Sequence, residues 1–194
     1  MFPGGAIDKS DFSPKWMELF ALAGLRHPND FGPMVTGPRD RPPVLQQRPP
    51  VDGSLVPPDV AFRICAIRET FEESGILLLR GTKDWPLGDP AAVPHASVFH
   101  LTDAEVKSWR ELVHGNAAEF LRMCETLQAL PDIWALAEWS NWLTPTDNKK
   151  RFDTMFYMCS LETLPMTMHD EQETVHSQVR VPGILLFLSC KNPL

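Results

Sequence analysis

At 194 residues and 21.9 kDa the chain has room for one domain with a hydrophobic core, and too little for two of ordinary size. Apolar residues make up 43% and charged residues 22%, a globular composition that excludes a disordered tail. A formal net charge of −7 argues against gripping nucleic-acid backbone as the main task, and leaves any anionic ligand dependent on a local device such as a metal ion.

The opening, Met1-Phe2-Pro3-Gly4-Gly5, lacks the basic and apolar regions of a secretory leader. Ser13 to Leu25 predicts a three-turn helix, with Ser13 as cap, Pro14 at the first helical position and Gly24 near the end. Nine of the 19 prolines then fall between Pro28 and Pro58. Each removes a donor and restricts its predecessor, so residues 27–56 are expected to form a long surface insertion. Its stretch from Arg41 to Pro50 has the form of a polyproline ligand, and the simpler reading of a solvated loop is kept.

A second helix is predicted from Asp59 to Gly75, followed by a short buried strand, Ile76 to Leu79. Thr102 and Glu105 have the spacing of a capping box, and Asn116 caps a further helix expected to carry Phe120, Met123, Cys124, Leu127 and Leu130 on one side. Trp134, Trp139 and Trp142 are expected to pack in the core rather than to stack on a ligand. Arg151 to Leu161 reads as a strand. The mixture predicts an α+β fold. The apolar run Gly183 to Cys190 falls far short of the ~20 residues that span a bilayer. Four scattered cysteines, none in a C-x-x-C pair, fit a reducing compartment. A soluble intracellular chain is the expectation.

The chemistry concentrates in Asp59 to Leu79. At about 100° per residue, Val60, Ile64, Ile67 and Phe71 form one core-facing stripe. Glu69, Glu72 and Glu73 share the opposite side, where like charges destabilise a bare helix by a few tenths of a kcal/mol per pair. Either this is a solvated acidic face with Arg68 beside it, or the carboxylates hold a hard divalent cation, Mg²⁺ or Mn²⁺. Such a cation would also bridge to phosphate oxygens.

The string Arg68-Glu69-Thr70-Phe71-Glu72-Glu73-Ser74-Gly75-Ile76 resembles the end of the Nudix box, R-E-U-x-E-E-x-G-U with U aliphatic, departing only at Thr70. Phe2-Pro3-Gly4-Gly5 is similar to the glycine turn that opens the same box. Counting forward from Gly5 puts Asp11 in the place of the box's early Glu, whereas counting back from Arg68 finds Val60 there. The proline-rich segment is therefore read as an insertion inside the box, between its glycine turn and its acidic helix. Within the Nudix family this arrangement resembles the peroxisomal acyl-coenzyme A diphosphatases. Further similarities are Val60-Ala-Phe-Arg-Ile-Cys-Ala66 before the Arg-Glu pair, and Trp142-Leu-Thr-Pro145 followed by Arg151-Phe-Asp-Thr154.

The resemblance implies a Nudix-type α/β/α sandwich with a mixed sheet, as one partial domain over residues 1–194 with an atypical tail at 177–194. It implies Glu69 and Glu73 as metal ligands, Glu72 as a third ligand or the water-activating group, and Arg68 as the residue that orients a glutamate. Gly4 and Gly5 would bring backbone close to the metal. The implied cofactor is Mg²⁺ or Mn²⁺. The implied substrate is a small molecule, coenzyme A or acyl-coenzyme A, cleaved to 3′,5′-ADP and 4′-phosphopantetheine or its acyl form, with no membrane or nucleic-acid partner. A peroxisomal location follows from the likeness, although Asn192-Pro193-Leu194 lacks the character of a peroxisomal address. Glu173 is a weaker candidate carboxylate, Arg151 is expected in a surface salt bridge, and His95, His100 and His114 receive no role. The rivals are another diphosphate substrate (ADP-ribose, a nucleotide sugar or a capped RNA end), an inactive product that keeps the acidic helix, and a proline-rich adaptor.

Overall fold

The computed structural model describes residues 3–32, 45, 56–84, 95–161 and 184–194. Its elements run β1 (Gly4–Ala6), α1 (Lys15–Ala21), α2 (Pro58–Ser74), β2 (Leu79–Gly81), α3 (Asp103–Gly115), α4 (Ala118–Leu127), β3 (Ala129–Pro131), β4 (Ala137–Leu143), β5 (Phe152–Leu161) and β6 (Ile184–Pro193). The larger sheet has the order β1-β6-β5-β4; β1 runs parallel to β6 and the other pairs are antiparallel. β2 and β3 form a separate antiparallel pair. This is the α+β class with the mixed sheet that the sequence predicts.

Helix α2 is the axis of the core. Val60, Ile64, Ile67 and Phe71 are all fully buried, as their shared stripe requires. Burial goes well beyond a stripe, however: every residue from Asp59 to Arg68 is buried. The helix packs against β1, β5 and β6 and also against α3, so it has cover on more than one side. That is why its sequence mixes apolar residues with two buried arginines, Arg63 and Arg68. It ends at Gly75, whose φ of 74° is left-handed and whose N–H returns to the Phe71 carbonyl, a conformation open to glycine at little cost.

Several elements differ from their predicted form. The first helix is shorter, Lys15–Ala21, and buries Trp16, Met17, Leu19 and Phe20. Only Leu79 of the expected Ile76–Leu79 strand lies in β2, although Ile76, Leu77 and Leu78 are buried and Leu78 bridges Val98. The Thr102–Glu105 capping box is present, and the Asn116 side chain accepts from the Ala118 N–H at the start of α4. Leu130, expected on that helix, lies beyond its end in β3.

Where residues 27–56 are described, His27, Asn29 and Asp30 are exposed as expected, but three apolar side chains are not. Phe31 is fully buried, edge-on to Phe20 and stacked with Trp134, while Leu45 and Val56 are also buried. Phe31 ends a short 3-10 helix, Pro28–Phe31, which starts on a proline, and the proline count cannot register an apolar side chain anchored in the core. The polyproline stretch lies outside the described residues apart from Leu45. The tryptophans also divide: Trp134 is buried, whereas Trp139 and Trp142 are 61% and 68% exposed on the edge strand β4. Core packing holds for the first and fails for the other two. Among the described residues no helix is long and apolar enough to cross a membrane.

Candidate active site

β1 and the last two turns of α2 meet although their residues are far apart in sequence. Gly4 and Gly5 pair with Ser189 and Cys190 of β6, which sets β1 against the helix. The Gly4 N–H donates to Glu73 Oε2 at 3.2 Å. A Cβ on Gly5 would collide with the Glu69 carboxylate, and one on Gly4 would collide with Ser189. Glycine is needed here because the backbone has no room for a side chain, a reason stronger than flexibility.

Arg68 is the hub. Its guanidinium, almost wholly buried, donates Nη1 to Glu69 Oε1 at 2.8 Å and to Glu72 Oε1 at 2.7 Å. Its Nε and Nη2 reach the two oxygens of Asp11, each at 3.1 Å, and Nη2 also meets the Ala6 carbonyl at 3.1 Å. The paired fork is the geometry in which Arg binds carboxylate most specifically. Asp11 is itself held by a 3-10 turn, Lys9–Phe12, in which Asp8 caps Ser10 and Asp11 accepts from the Asp8 N–H. Chain near the N-terminus and helix α2 are thereby fastened together through one side chain.

The electrostatics follow from burial. Loss of water opposes the Arg68 charge, but Asp11, with help from Glu69, holds the guanidinium protonated and raises its pKa. Burial pushes the Asp11 carboxyl up against the pull of Arg68. Burial also raises Glu69, Arg68 opposes that shift, and the charge of Glu72 adds to it. A carboxylate raised by desolvation and by a neighbouring like charge is one that a bound cation would stabilise.

The structure thus brings Gly4, Gly5, Arg68, Glu69, Glu72 and Glu73 into one place, with Asp11 joined to them through Arg68. Among the described residues no three His, Cys, Asp or Glu side chains are already gathered in ligand geometry. The carboxylates face Arg68 and the Gly4 amide instead. The donor set nevertheless fits a hard divalent cation: Glu69, Glu72 and Glu73 offer carboxylate oxygens, and the absence of a Cβ on Gly5 lets the Glu69 carboxylate lie directly against the backbone.

Two groups at the site carry no sequence signal. Arg110 donates to the Glu72 and Glu73 carbonyls, and His114 Nδ1 lies 3.6 Å from Glu72 Oε2. His114 receives no role from its spacing in the sequence; α3 delivers it from another part of the chain. His95 sits elsewhere, 3.1 Å from Ser160 Oγ. Arg151 donates Nε to the Thr144 carbonyl and closes the β4–β5 turn, in place of the expected salt bridge. Glu173 lies outside the described residues.

A glycine turn set against an acidic helix, with a buried arginine binding the helix's own glutamates, is the arrangement of a Nudix box, here with its two parts far apart in sequence. The family model described as the NUDT19 Nudix domain matches residues 1–189, and the chain belongs to that family. The chain is similar to the proteins named acyl-coenzyme A diphosphatase NUDT19 from three vertebrates. It is 44% identical over 180 residues to that of Gallus gallus, covering 89% of this chain and 47% of the relative. The Xenopus laevis protein is 40% identical over 180 residues, covering 89% and 46%. The Homo sapiens protein is 38% identical over 191 residues, covering 94% and 49%. The chain therefore spans about half the length of the curated relatives it matches. No solved structure matches it.

Proposed function

We propose that this chain hydrolyses the phosphoanhydride of coenzyme A and acyl-coenzyme A, giving 3′,5′-ADP and 4′-phosphopantetheine or its acyl form. The observation that carries the reading is the reunited box: Gly4 and Gly5 lie on Glu73 and Glu69, and Asp11 is forked onto Arg68. The names of the relatives supply the substrate class, and a peroxisomal location rests on the family likeness.

In this reading Glu69 and Glu73, one helical turn apart, hold Mg²⁺ or Mn²⁺, with the Gly4–Gly5 backbone beside them. When bound, the ion neutralises the diphosphate and lowers the pKa of a coordinated water. Arg68 keeps Glu69 and Glu72 in place and balances their repulsion. Arg68 holds Glu72 Oε1, which leaves Oε2, 3.6 Å from His114 Nδ1, to accept the proton as water attacks phosphorus. The P–O bond of the anhydride breaks and the departing phosphate carries its oxygen away. The acidic surface makes the ion indispensable, because a diphosphate would otherwise meet like charge.

The box reads the diphosphate and not its substituents, so substrate choice needs its own test. The purified chain is assayed with Mg²⁺ on coenzyme A and on ADP-ribose side by side. The expected result is release of 3′,5′-ADP at a kcat/KM at least about tenfold above that for ADP-ribose, a modest differential in transition-state binding. Equal turnover of both overturns the coenzyme A preference. Failure of both while Mn²⁺ still binds identifies an inactive product.

A further inference from the structure

The contact between α3 and the acidic helix is more specific than packing requires. Arg110 and His114 are one turn apart and share a face of α3. Arg110 donates Nε and Nη2 to the Glu72 carbonyl at 3.0 and 2.7 Å, and Nη2 to the Glu73 carbonyl at 3.1 Å. These carbonyls belong to the last turn of α2, where acceptors lack partners within the helix. One turn earlier on α3, Val106 lies at 3.4 Å from where a Gly75 Cβ would sit, so the two helices approach closely along that end. From this fixed base His114 reaches the same residue that Arg110 grips. Its Nδ1 is 3.6 Å from Glu72 Oε2, while Arg68 holds Oε1 at 2.7 Å.

We infer that His114 is a positioning residue for Glu72, and that α3 is the element that delivers it. The inference rests on the role given to Glu72 above. A glutamate has three rotatable bonds, and Arg68 alone fixes only one of its oxygens. An imidazole whose Nδ1 carries a proton towards Oε2 favours the rotamer in which Glu72 keeps this oxygen away from Arg68. At 3.6 Å the contact is longer than a full hydrogen bond, as is common for catalytic contacts before substrate is present. The His114 side chain is 86% exposed, so packing gives no reason for its placement and its replacement leaves the core intact. Arg110, in contrast, acts on the backbone and secures the helix end.

The test compares His114→Ala and His114→Asn in the full chain, using whichever diphosphate substrate it turns over. The Asn amide N–H occupies nearly the place of Nδ1. His114→Ala is expected to lower kcat about 5- to 10-fold, the size of one lost hydrogen bond, with KM and the thermal midpoint unchanged. His114→Asn restores most of the loss. A readout independent of turnover is the long-range ¹H–¹⁵N spectrum of the imidazoles: the His114 signals move in Glu72→Gln and stay in Glu119→Gln. Wild-type kcat in His114→Ala, or His114 signals indifferent to Glu72→Gln, overturns the inference. Loss of coenzyme A turnover with ADP-ribose turnover retained overturns only the substrate reading.

Discussion

Helix α2 carries two buried arginines, and the contrast between them separates holding the fold from holding the site. Arg63 pairs with Asp59 at 3.2 Å and with Glu138 of β4 at 3.0 Å, and its guanidinium lies 5.0 Å from the centre of the Tyr157 ring. Among the described residues these partners belong to the helix and to the sheet beside it. Arg68, five residues on, gathers Glu69, Glu72 and Asp11. Each guanidinium is almost wholly buried, and each is compensated by carboxylates, as burial demands. The difference lies in which carboxylates. Arg63 ties the helix to the sheet, whereas Arg68 ties the glycine turn's side of the insertion to the glutamates of the box.

The comparison is broken most directly by removing each charge while keeping much of the bulk. Arg63→Met and Arg68→Met should each cost about 3–5 kcal/mol, because each strands buried carboxylates. Urea unfolding measures that loss, and turnover per folded molecule separates the two. Arg63→Met should keep its turnover per folded molecule near that of the parent, while Arg68→Met should lose most of it. Equal turnover in both variants would erase the distinction. A smaller effect is expected at the turn. Gly5→Ala forces the Glu69 carboxylate aside, with a cost of about 1–3 kcal/mol for the strain and a weaker affinity for Mn²⁺ in calorimetric titration.

How much of this is legible in the sequence varies by residue. The string Arg68 to Ile76 is legible as a helix by its periodicity and as a candidate site by its likeness to the Nudix box, since the carboxylates alone fit a solvated face equally well. Asp11 is legible only by counting forward from Gly5, and its pairing with Arg68 depends on the chain returning across the insertion. Burial around most of α2 is not legible, since periodicity reports one packed face and is blind to neighbours arriving from distant chain. For the same reason Arg110 and His114 give no signal: they act from another helix. Trp139 and Trp142 escape the sequence reading because aromatic content alone does not tell a core strand from an edge strand.

The smallest expected effect lies far from both arginines, at the start of α3, and serves as a baseline for them. The Thr102 side chain and backbone hydrogen bonds to Glu105 hold its carboxyl below the ordinary value. A depressed folded-state pKa means that the cap contributes stability above the ordinary value of about 4.5 and loses it as pH falls through the folded value. Glu105→Gln should therefore narrow the drop in thermal midpoint between about pH 6 and pH 3 slightly, since the pair is exposed, and leave turnover unchanged.

On the proposed function, the Gly4–Gly5 turn and the acidic end of α2 act as one metal-dependent site. The most direct test of this is release of 3′,5′-ADP from coenzyme A by the purified chain with Mg²⁺, beside Glu69→Gln. Turnover in the parent that falls at least about 100-fold in the variant, with the fold intact, is the predicted result. Turnover in Glu69→Gln at the parent's rate would contradict it.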